Sequence, residues 1–89
     1  MAARIILKRV IQLAADPQVV KFRGPGAEVL DFQVQHGVLV IWALEDRDGD
    51  PFEERFLIRG TGDYVEDGWA YVGTVQHDHY VWHLFREVK

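Results

Sequence analysis

Arg59-Gly60-Thr61-Gly62 is the stretch of the 89-residue chain whose residue types best suit ligand chemistry. Glycines at 60 and 62 let successive backbone N–H groups turn inward as an anion nest, and the guanidinium beside them adds a charge-assisted donor. Arg55 and Lys21 could add charge, while Trp42, Trp69 and Tyr71 offer flat faces on which a base could stack. A lone Gly-Thr-Gly lacks the length of a phosphate-binding loop, and a plain tight exit from a strand would use the same residues. Other constellations are weaker. Asp46, Asp48 and Asp50 have the spacing that opens a calcium loop, but the positions needing Gly and Glu hold Pro51 and Leu57. His79 and His83 would sit about 13 Å apart along an extended strand, too far to share one ion. His77 and His79 could approach across a turn, yet a structural zinc site needs four ligands and no such set can be named. No metal or cofactor is expected. The chain has no serine and no cysteine, which excludes a serine triad, thiol catalysis and disulfides. Glu53 and Glu54 are neighbours and point to opposite faces if extended, unlike the facing acids of a glycosidase. The expectation is a protein that is not an enzyme.

The elements that must position these residues read as strands. Val, Ile, Phe, Tyr and Trp concentrate in short runs separated by Gly, Pro and Asp. The pattern predicts six strands, at 4–14, 18–23, 28–36, 38–46, 54–60 and 70–76, with 79–87 as a seventh. Residues 5–15 also carry a helical face through Ile6, Val10, Leu13 and Ala14, although the alternation of Ile5, Leu7, Ile11 and Leu13 favours strand. A two-residue turn at His36-Gly37 sets Val34 opposite Leu39, Phe32 opposite Ile41 and Leu30 opposite Ala43. A second turn at His77-Asp78 sets Gly73 opposite Trp82, where the indole would cover bare backbone. Residues 45–54 hold six acids and one Arg, and read as a solvated hairpin tip. The fold expected is all-β: a small antiparallel sheet of six to seven strands rolled into a barrel or sandwich, with residues 1–89 as one domain.

Composition bounds the rest. Apolar residues at 48% argue for a packed core and against disorder. The formal charge of −4 argues against nucleic acid or an anionic membrane surface as partner. No apolar run is long enough to span a bilayer, and the apolar stretch at Met1 to Arg9 is too short for a signal peptide, so a cytoplasmic setting is expected. Val38, Val40, Trp42, Val81 and Phe85 supply more apolar strand surface than one thin core hides, so a homodimer is expected.

Five segments together resemble a known family. They are Asp31–Gly37, Ile41-Trp42-Ala43-Leu44, Phe56–Gly62, Tyr71–Gln76 and Val81-Trp82-His83-Leu84-Phe85. Their order and spacing are similar to short proteins of unknown function from tailed bacteriophages and prophages, over roughly residues 4–86. The resemblance implies a viral product in the host bacterial cytoplasm and transfers no catalytic residue. The leading expectation is an accessory protein that binds a host or phage protein through an aromatic sheet face rimmed by acids. The alternative is sequestration of a nucleotide or other small anion by Arg59, Gly60, Thr61 and Gly62 with an aromatic such as Trp69.

Overall fold

A computed structural model describes residues 3–89, and these form seven strands and no helix. In chain order the strands are β1 (Arg4–Ile11), β2 (Gln18–Arg23), β3 (Glu28–Gln35), β4 (Val38–Asp46), β5 (Pro51–Gly60), β6 (Trp69–His77) and β7 (Tyr80–Glu87). They build two antiparallel sheets, ordered β1-β4-β3 and β2-β5-β7-β6. The sheets face each other as in a sandwich and do not close into a barrel. Among the described residues no helix is long and apolar enough to cross a membrane.

Alternation decides which side chains go inside. Leu39, Ile41 and Ala43 of β4 meet Phe32 of β3, Val20 and Phe22 of β2, Phe56 and Ile58 of β5, and Leu84 of β7 in one buried cluster. Burying each of these large side chains stabilises the fold by about 1.5–3 kcal/mol. β4 is apolar on both faces because it is the central strand of its sheet, with Val40 and Trp42 turned to the outer side. β1 stops at Ile11 rather than running to 14, because its partner β4 begins at Val38 and Ile11 already pairs with Leu39. The helical alternative for residues 5–15 is not adopted. β5 begins earlier than expected, at Pro51, since Phe22 and Arg23 of β2 extend the ladder to Phe52 and Pro51.

The first hairpin keeps the expected register as far as Asp31, and the second is displaced. His36 and Gly37 take φ of 51° and 77°, so the first turn has the two left-handed residues a type I′ turn requires. Val34 pairs with Leu39 and Phe32 with Ile41 as expected. A bulge then inserts Leu30, so that Val29 faces Ala43 and Leu30 is exposed. The second turn is Asp78-His79, one residue later than the sequence suggested, with Asp78 at φ 55°. Gly73 therefore pairs with Leu84, and Trp82 pairs with Val75. The indole does cover a glycine, but it is Gly60 on β5: a Cβ there would lie 3.5 Å from the Trp82 ring. Gly73 serves the sheet-to-sheet contact instead, because a Cβ on it would lie 3.2 Å from Cβ of Phe32.

The acidic stretch 45–54 is not simply a solvated tip. Glu45 continues the inward alternation of β4 and is fully buried, and Glu54 is buried on β5. Arg9 donates to both Glu45 oxygens, from Nε at 2.9 Å and Nη2 at 2.6 Å, and the Arg23 backbone N–H donates to Oε1 at 2.6 Å. Burial pushes the Glu45 carboxyl up, but the Arg9 and Arg23 hydrogen bonds and charges outweigh it and leave the group below its ordinary value. On the other side Arg86 pairs with Glu54, donates to the Ala27 carbonyl at 3.0 Å, and lies 5.7 Å over Phe22 and 5.8 Å over Phe56. The segment that crosses from one sheet to the other, Arg23 to Ala27, is thus gripped at its first residue by a carboxylate and at its last by a guanidinium.

Candidate functional site

The outer face of the four-stranded sheet carries the densest set of polar and aromatic side chains. Arg55, Leu57 and Arg59 point outward from β5, opposite to the buried Phe56 and Ile58. By register they stand beside His83, Phe85 and Glu87 of β7, and beyond these lie Thr74, Tyr71 and Trp69 of β6. The loop from Thr61 to Gly68 and the loop around Ala15-Asp16-Pro17 rise at its edge. Between them runs a groove of about 630 Å³ floored by Leu57 and flanked by Tyr64 and Trp69.

Arg59 holds these walls in place. Its Nη1 donates to the carbonyls of Ala15 at 2.7 Å and Ile58 at 3.1 Å, and its Nε to that of Tyr64 at 3.2 Å. Arg55 pairs with Glu87 at 2.7 Å and stacks 5.8 Å over Trp69. Both arginines that line the groove are therefore engaged within the protein. Three carboxylates that line it, Asp16, Glu66 and Asp67, make no ion pair or hydrogen bond among the described residues. With Arg55 balanced by Glu87 and Arg59 the one remaining cation among the described lining residues, the three carboxylates leave the groove net negative next to aromatic surface, which suits a cation.

The glycine turn is filled by its own chain. The Gly60 N–H donates to Oδ2 of Asp63 at 2.8 Å, so a carboxylate already occupies the place an anion would take. Gly62 has φ 97° and is open on its Cβ side, as a tight strand exit requires. Thr61 turns to His83: its hydroxyl is hydrogen-bonded to Nε2 at 2.9 Å, while Nδ1 meets the Thr74 hydroxyl at 3.0 Å and Thr74 meets Tyr71 at 2.6 Å. An imidazole held between two hydroxyls could relay a proton. Acyl transfer would further need oxyanion donors, and the Gly60 N–H nearby is already given to Asp63.

Of the residues singled out from sequence, Arg59, Gly60, Thr61 and Gly62 cluster at one end of this face and Trp69 shares the groove with Arg59. Trp42 does not join them, since it lies on the outer face of the other sheet. Asp16, Tyr64, Glu66, Asp67 and the hydrogen-bonded chain Thr61–His83–Thr74 were not foreseen. The outward alternation of 55, 57 and 59 would have located the face, but the loops that wall it carry no periodic signal. Among the described residues no group of three His, Cys, Asp or Glu is gathered for one metal ion; His77 stands 3.6 Å from Asp78 alone.

Comparison with curated proteins and with solved structures finds no match. The family model for a domain of unknown function, DUF7352, matches residues 2–89, and the chain belongs to that family.

Proposed function

We propose that this protein is a non-catalytic accessory factor that binds a basic segment of a protein partner in the groove between the two loops. The carrying observation is the unpaired set Asp16, Glu66 and Asp67 beside Tyr64 and Trp69, over a floor of Leu57. Long cationic side chains fit such a lining, with the charge met by carboxylates and the stem or guanidinium laid on an aromatic face. The chain's formal charge of −4 favours the same class of partner. The setting proposed with it is the bacterial cytoplasm during viral infection, with a host or phage protein as the partner; its basis is the motif resemblance. Sequestration of a small anion has less support, because Asp63 fills the glycine turn and Arg59 is tied to three carbonyls.

Titration of the protein with a Lys/Arg-rich peptide and with its Glu-substituted counterpart, followed by calorimetry and tryptophan fluorescence, tests this. The basic peptide should bind, and Glu66→Lys with Asp67→Lys should weaken it about tenfold or more. Binding of neither peptide overturns the reading. Heat with mono- or cyclic nucleotides that Arg59→Ala abolishes would put the anion-sequestering protein in its place.

A further inference from the structure

The outer face of the three-stranded sheet lies across the sandwich from the groove, and among the described residues no element covers it. Ile6, Val10 and Val38 are exposed there, and Trp42 and Leu44 are half-buried. Register gives the rows: Ile6, Leu44 and Glu28; then Lys8, Trp42 and Asp31; then Val10, Val40 and Gln33. The charges are sorted by strand. The β1 margin carries Arg4 and Lys8 outward, the β3 margin carries Glu28 and Asp31, and the apolar β4 runs between them.

That sorting has one simple complement. A second copy turned about a two-fold axis that runs parallel to β4, in the plane between the facing sheets, places its β1 over β3 of the first and its β3 over β1. Lys8 of each copy then meets Asp31 of the other, and Trp42 meets Trp42 at the axis. An axis across the strands would instead lay basic margin on basic margin. We propose that the protein forms a two-fold symmetric dimer through this face, with aligned sheets, paired Lys8 and Asp31, and a central seam of Val38, Trp42 and Leu44 over the fully buried Val40.

Details within the chain agree. Lys8 and Asp31 form no ion pair with each other, because Trp42 stands between them in the row. Among the described residues Asp31 is engaged only locally, by the Phe32 N–H and the Gln33 amide. Lys8 donates to Gln35 at 2.7 Å, a bond that by register passes over Val40, and its ammonium has two further protons to give. Three strands about 4.8 Å apart and eight residues long offer a face of roughly 14 by 27 Å, or about 400 Å² in projection. That is below the usual size of a stable interface, so the dimer is weak, concentration-dependent and not obligate.

The test uses charge reversal at exposed positions. Lys8→Glu makes both margins acidic at the paired row, and Asp31→Lys makes both basic. Sedimentation of the unmodified protein from low micromolar to millimolar concentration should show a monomer–dimer equilibrium, and each variant alone should dissociate about tenfold more readily or worse. An equimolar mixture of the two variants puts acid against base at both contacts and should restore the dimer as a heterodimer. Circular dichroism and melting of each variant establish that the chain stays folded, and Val10→Lys provides a second disruption should either fail. A monomer at millimolar concentration, dimers indifferent to both reversals, or a mixture that stays monomeric would each overturn the proposal.

Discussion

Glu45 shows how much one inward side chain decides. It is fully buried, it is held by Arg9 from its own sheet, and it accepts the Arg23 N–H from the other. Because its folded carboxyl titrates below the ordinary value of 4.5, its contribution is complete above that pH. The contribution is lost as the pH falls through the lower folded value, where the protonated acid no longer pairs with Arg9. Denaturant midpoints should therefore drop below pH 4.5 in the wild type. Glu45→Gln should cost about 3 kcal/mol at neutral pH by leaving Arg9 without its counter-charge, and should flatten this acid dependence. Gly73 works by what it lacks. With Phe32 only 3.2 Å from where its Cβ would be, Gly73→Val should lower stability by about 1–3 kcal/mol, read from the same denaturant midpoints. A midpoint unchanged by the valine would mean that β3 and β6 do not approach as closely as described.

At the scale of elements, the runs of β-branched and aromatic residues were enough to locate all seven strands, because each run is short and each gap holds Gly, Pro or Asp. Partners and registers were less legible. The bulge at Leu30 and the register shift between Tyr71 and Gly73 insert single residues that no alternation announces. β1 pairs with β4 and β2 with β5 across some thirty residues of intervening chain, and local pattern does not specify such pairs. Glu45 could have been found by carrying the inward series 39, 41, 43 one step further. The role of Arg59 could not, since its partners are backbone carbonyls that any residue supplies. The glycine turn was legible as a strand exit, whereas the groove beside it depends on two loops brought together from distant parts of the chain. The His36-Gly37 hairpin offers a direct check on turn chemistry. Asn tolerates φ of 51° better than His does, so His36→Asn should raise stability by up to about 1 kcal/mol in thermal melts.

For the molecule as a whole, the dominance of long-range strand pairing implies folding in milliseconds to seconds, slower than a helical protein of this length, as stopped-flow tryptophan fluorescence would show. The far-ultraviolet circular dichroism spectrum should be that of an antiparallel sheet protein without helix. The sheet order β2-β5-β7-β6 adds a constraint of its own. β7 follows β6 in the chain but lies between β5 and β6 in space, and its Leu84 is fully buried at the centre of the core. A chain ending at His77 should lose cooperative unfolding altogether, since β6 would have no hydrogen-bonded partner in its sheet and β5 would keep only β2. On the ribosome the same arrangement sets an order of events. The three-stranded sheet has all its strands once residue 46 has been made, whereas the four-stranded sheet waits for the strand synthesised last among these seven. Until then the nascent protein carries an open slot between β5 and β6, and only its own continuation fills it.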